Sequence, residues 1–184
     1  MKFPSYLVMI FFIFLFQYSN GSNLILQSCQ EASKGDPNLS YDFCVASLEE
    51  ALSKCHPPPT NLEDLVGMSI NLTKSNVTNM VSIISNLLKN KTFDQYTKAC
   101  LKDCLDLYSD SLPALDDAVV AFKSNDLDTA GINLSATLDN SVTCEDQFKD
   151  KKGETSSPLT KENNVYFQLN VISLAFIQMF RQHY

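Results

Sequence analysis

Apolar positions recur every three or four residues along most of this chain, the spacing that gathers side chains on one face of a helix. One stripe runs through Leu62, Leu65, Val66, Ile70, Val77, Met80, Val81, Ile84, Leu87 and Leu88. A second takes Tyr96, Cys100, Cys104, Leu107, Tyr108, Ser111, Leu115, Ala118 and Phe122. A third follows Leu127, Ala130, Leu134, Leu138, Val142 and Phe148, and a fourth Val165, Leu169, Ile172, Phe176, Met179 and Phe180. Asn125-Asp126 offers a cap for the third helix, and Ser157-Pro158 with Thr160-Lys161-Glu162 marks a loop and a start for the fourth. Four long amphipathic helices with short connections predict an all-α, antiparallel four-helix bundle over residues 60–184.

Two shorter helical segments precede it, Asn23 to Lys34 and Leu39 to Lys54, broken by Gly35-Asp36-Pro37. His56-Pro57-Pro58-Pro59 then stops any helix, so residues 22–55 read as a helical hairpin ahead of the bundle. Two short helices share too little core to hold themselves together, and a staple is expected. Cys29 and Cys44 fall one on each arm.

The N-terminus has the three parts of a secretory signal: Lys2, the apolar stretch Tyr6 to Phe16, and small residues in Ser19-Asn20-Gly21 before a cut near Ser22. That stretch is shorter than the roughly 20 residues of a membrane span. Residues 1–21 are therefore expected to be a signal peptide and residues 22–184 a single secreted domain, with no membrane association after cleavage. Six cysteines beyond the signal, Cys29, Cys44, Cys55, Cys100, Cys104 and Cys144, then meet an oxidising environment that favours disulfides. Six cysteines allow 15 pairings, which spacing alone does not rank. Sequons at Asn38, Asn71, Asn76, Asn90 and Asn133 fit a secreted glycoprotein.

Beyond residue 21 the chain has 13 basic and 21 acidic residues, a net charge of −8, and a lone arginine, Arg181. Nucleic acid is excluded as a partner, because neutralising phosphates takes clustered Lys and Arg. Catalysis finds poor material. His56 and His183 are the only imidazoles, and Gly67-Met68-Ser69-Ile70-Asn71 approaches a nucleophile elbow but lacks its second glycine and lies in a helical stretch. Cys100-x-x-x-Cys104 puts two sulfurs on one helix face without a second pair to complete a zinc site. No cofactor or metal is expected.

Several segments carry a family resemblance: Tyr41-Asp42-Phe43-Cys44; Cys104-Leu-Asp-Leu-Tyr108-Ser-Asp110 followed by Leu115; and Ser135-Ala-Thr-Leu138 leading to Thr143-Cys144-Glu145-Asp146-Gln147-Phe148. Together they resemble the plant invertase and pectin methylesterase inhibitor family across the whole chain after residue 21. The similarity extends to a branch that includes pollen allergens described as candidate invertase inhibitors. The resemblance implies a helical hairpin on a four-helix bundle with bridges Cys29–Cys44 and Cys104–Cys144. It also implies a non-catalytic protein of the plant cell wall or apoplast that masks a carbohydrate enzyme in a 1:1 complex.

The chain departs from the family pattern in three places. Fourteen residues separate Cys29 from Cys44, which enlarges the hairpin turn. Cys55 and Cys100 lie outside the four-cysteine frame, as a third bridge or as thiols. Where the invertase-inhibiting branch carries Pro-Lys-Phe, between the second and third bundle helices, this chain reads Asp126-Leu127-Asp128. Without that lysine the resemblance favours pectin methylesterase as target, with invertase as alternative and a non-inhibitory structural or ligand-carrying bundle as a second alternative. In the esterase-inhibiting branch acidic and hydroxyl side chains meet the target, which carries over to Asp110, Asp126, Thr143 and Asp146. Pro113 replaces a further aspartate of that pattern. An acidic surface of this kind would complement a basic enzyme and speed encounter.

Overall fold

The computed structural model describes residues 5–54, 57–150 and 157–183. Six α-helices account for nearly all of them: α1 Ser5–Gly35, α2 Tyr41–Leu52, α3 Leu62–Leu87, α4 Gln95–Lys123, α5 Leu127–Gln147 and α6 Thr160–His183, with a 3-10 turn at Phe148–Asp150. The all-α expectation stands. Among the described residues, no helix is long and apolar enough to cross a membrane.

Four of the helices, α2 to α5, start where a side chain satisfies a free amide of the first turn. Ser40, Asn61, Asp94 and Asp126 accept from the backbone N–H three residues on, at Phe43, Asp64, Thr97 and Thr129. In the bundle α3 packs on α4 and α6, and α5 lies between α4 and α6. Its core runs through Leu65, Ile70, Met80 and Ile84 of α3, Leu101, Tyr108 and Leu115 of α4, Leu134 of α5, and Tyr166, Ile172 and Phe176 of α6, all fully buried.

The hairpin is formed by α1 and α2, with Cys29 bonded to Cys44. Its turn joins Gly35 to Tyr41 and is clamped to the bundle by a side chain of α6. Gln168 of α6 accepts from Ser40 N at 3.0 Å and donates to the Asn38 carbonyl at 2.6 Å.

Two features differ from expectation, and a third decides between the two readings of Cys100. Helix α1 does not begin at Asn23; it is continuous from Ser5, so the proposed cut near Ser22 falls inside it. On α5 the buried row is Ala130, Leu134, Thr137, Ser141 and Cys144, whereas Val142, placed in the core stripe by hydropathy, is 42% exposed. Finally, Cys100 is a buried free thiol. Its Sγ points to the Gln147 carbonyl at 3.7 Å. Cys55 lies outside the described residues.

Candidate functional site

The outer face of the α4–α5 pair gathers most of the residues singled out from sequence. These two helices run antiparallel and are bonded through Cys104 and Cys144, whose Cα atoms are 5.0 Å apart. On α4 the exposed row is Asp103, Asp106, Asp110, Pro113, Asp117 and Val120, at alternating spacings of three and four. On α5 it is Asp128, Ile132, Ser135, Asp139, Val142 and Asp146. Two acidic ridges thus flank exposed aliphatic side chains: Val120 is 63% and Ile132 69% exposed. Scattered apolar residues on a surface are ordinary, but three within one acidic face make a mixed patch suited to protein contact.

The expected contact residues are all exposed but do not form one cluster. Asp110, Thr143 and Asp146 lie within a few turns of the Cys104–Cys144 bridge. Asp126 sits at the opposite end of the pair, about 30 Å from Asp146 along α5. Asp146 pairs with Lys149 at 2.7 Å, and Asp128 pairs with Arg181 of α6 at 2.7 Å, which mutes both carboxylates. Asp126 is the α5 cap: Thr129, through side chain and backbone, holds its carboxyl below the usual carboxylate range. Asp128, Asp139, Val120 and Ile132 were not picked out from the sequence, although extending the outward period of each helix would have found them.

The connection between these helices is tight. Asn125 has φ 59°, the left-handed conformation that closes a helix, and Asn125 N and Asp126 N donate back to the carbonyls of Phe122 and Ala121. Asp126 then caps α5 at once. Ser124, Asn125 and Asp126 thus complete one helix and start the next, with no loop projecting between α4 and α5.

Behind this face lies a buried polar network. The Tyr108 hydroxyl donates to Asn163 Oδ1 at 2.6 Å, and Asn163 Nδ2 donates to Glu145 Oε2 at 2.6 Å. Thr160 Oγ1 donates to the other Glu145 oxygen at 2.7 Å. Thr137 donates to Asn170 at 2.7 Å, and Asn140 to Ser111 at 3.0 Å. The Tyr166 hydroxyl is buried among Ser111, Thr137 and Asn170 without a hydrogen bond of good geometry. Such interior polar contacts fix helix register, because shifting one helix would strand several donors at once.

Among the described residues, the groups that the sequence offered for catalysis or metal binding are engaged elsewhere. Ser69 is buried in mid-helix and spends its hydroxyl on the Val66 carbonyl at 2.9 Å. Cys104 is committed to a disulfide, which removes it from any metal pair with Cys100. His56 lies outside the described residues.

Residues 23–176 match the family model described as plant invertase/pectin methylesterase inhibitor. The chain belongs to this family. A Platanus acerifolia protein named "Putative invertase inhibitor" is 39% identical over 181 residues, covering 97% of this chain and 98% of its own. "Pectinesterase inhibitor 12" of Arabidopsis thaliana is 41% identical over 179 residues, covering 97% and 99%. Among solved structures, a mutant form of a pectin methylesterase inhibitor from Arabidopsis superposes with a TM-score of 0.64 at 22% identity, over 76% of this chain and 89% of that one. Relatives of the two names match almost equally well, so family membership fixes an inhibitor scaffold and leaves its target open.

Proposed function

We propose that the protein is a secreted inhibitor that masks a pectin methylesterase of the plant cell wall in a 1:1 complex, through the outer face of α4 and α5. Residues 1–21 act as the signal peptide and residues 22–184 as the mature inhibitor. The observation that carries this reading is the pair of acidic ridges around Val120, Ile132 and Val142. The aliphatic side chains supply area to desolvate, and the unpaired carboxylates supply attraction to a basic target. Asp110, Thr143 and Asp146 contact the enzyme near one end of the face and Asp126 at the other, a span within the reach of a standard-size interface.

Invertase is the second reading, favoured by the Platanus relative's name. The closed turn at Ser124–Asp126 weighs against it, since Lys123 beside it belongs to the last turn of α4 and no protruding loop carries a lysine toward a glycosidase pocket. Titrating the purified protein against a pectin methylesterase and an invertase at mildly acidic pH tests the choice. Saturating loss of esterase activity at one inhibitor per enzyme supports the proposal, and loss of invertase activity alone replaces it with the alternative.

A further inference from the structure

On the far side of the molecule, α2 stands off from α3 and α6 and leaves an open cleft of about 700 Å³. Its floor is apolar, made by Phe43, Leu72 and Leu169, and its α3 wall carries Asn71, Asn76 and Asn79. Two of these asparagines head sequons, Asn71-Leu72-Thr73 and Asn76-Val77-Thr78. They differ in setting. Asn71 is exposed at the rim. Asn76 is half-buried, with its Oδ1 turned inward and unbonded. Its amide nitrogen is the donor that this cleft-lining side chain has to offer.

We propose that Asn71 carries an N-linked glycan whose first sugars lie in this cleft, bridging α3 to α2, and that Asn76 stays unmodified as a hydrogen-bond donor to them. The proposal rests on the secretory route inferred above. Attachment joins Asn71 Nδ2 to the anomeric carbon of a lipid-diphosphate-linked oligosaccharide. The carbon–oxygen bond to the diphosphate breaks, the diphosphate leaves with the electron pair, and the amide nitrogen gives up one proton. The lining fits such an occupant. A pyranose has apolar C–H faces that suit Phe43 and Leu72, and hydroxyl and acetamide groups that need neutral donors and acceptors, here Asn76, Asn79, Ser47 and Ser75. A volume of this size holds a few sugar rings and belongs to the range of small-molecule sites. The structural effect falls on α2, which has only a short packed contact with the bundle beyond the Gln168 clamp.

Lys74 separates the two sequons, so trypsin places them on different peptides. Protein secreted from a plant or insect host is mapped by glycopeptide mass spectrometry, and backbone hydrogen exchange is compared between wild type and Asn71→Gln. The expected result is sugar mass on the peptide ending at Lys74, none on the peptide beginning at Ser75, and faster exchange across residues 41–52 in the variant. Glycan at Asn38 or Asn90 with Asn71 bare overturns the proposal while leaving the secretory route intact. Glycan at none of the sequons of the secreted protein likewise overturns the proposal, whereas retention of the protein inside the host cells overturns the secretory route on which it rests. Glycan at Asn71 with unchanged exchange in α2 overturns the seat in the cleft.

Discussion

The Tyr108 hydroxyl reaches across the bundle from α4 to Asn163 at the start of α6, 2.6 Å away. Because Asn163 is in turn bonded to Glu145 on α5, this one phenol ties three helices together through direct hydrogen bonds. Tyr108→Phe removes the donor and leaves a buried amide oxygen unsatisfied, which costs about 1–3 kcal/mol. Urea unfolding should show that loss with an unchanged slope; an unchanged midpoint would mean that the contact is dispensable.

The same burial sets an alkaline limit. Desolvation, with Tyr166 and Glu145 nearby, pushes the Tyr108 phenol far above its ordinary value, and desolvation also raises Tyr166. A raised folded-state pKa means that the fold keeps its full advantage below the unfolded pKa, about 10 for tyrosine, and loses it as pH rises beyond that. Stability should therefore fall above about pH 10. The absorbance of the last tyrosinates should appear together with loss of helical circular dichroism rather than before it.

The two disulfides should be unequal. Bridges closing 15 and 40 residues contribute about 3 and 4 kcal/mol on the chain-entropy model. Cys104→Ala with Cys144→Ala should lower stability more than the corresponding Cys29 and Cys44 pair. Cys104→Ala alone should cost about 2–5 kcal/mol, since it leaves Cys144 buried without its partner. Peptide mapping without reduction should recover both links.

Cys100 should behave as a hidden thiol. It is 5% exposed, so iodoacetamide should leave it unmodified in the folded protein and label it in denaturant. Rapid labelling of Cys100 under native conditions would contradict its packing.

Charge on the outer face is tested by changing Asp110, Asp126 and Asp146 together to Asn. Asn is as good a helix cap as Asp, so the bundle should remain folded. Association with a pectin methylesterase should slow, and its dependence on salt should flatten. Asp126 stays ionised to lower pH than an ordinary aspartate, so its contribution disappears only as pH falls through that lowered value.

Much of this architecture was legible in the chain. Leu65, Ile70, Ile84, Leu115, Ala118 and Phe176 announce their helices because apolar side chains must be buried and the helical period places them together. Asp126 was legible as a cap for the same kind of reason: its short carboxylate meets free amides. What escaped was where burial is polar. On α5, Thr137 and Ser141 face inward and Val142 outward, the reverse of hydropathy, because facing polar groups such as Asn170 make the interior hospitable to a hydroxyl. The contact face was only half visible, since a lone aspartate does not reveal whether a neighbouring lysine has already engaged it, as Lys149 has Asp146. Nor could the α2–α3 cleft be read, because a gap between helices depends on their angles and not on either sequence alone.

The continuity of α1 places a schedule on the making of this protein. Gly21 is buried with Leu52, Pro58 and Pro59 around its backbone, and Ser22 donates to Glu49 of α2. A peptidase needs its substrate extended and within reach, and neither holds once α2 has closed over this turn of helix. The cleavage proposed near Ser22 would therefore have to precede folding, during synthesis, while the second arm of the hairpin is still unmade. A chain that folds first would keep its leader, and slowing the closure of α2 would widen the time in which the cut can be made.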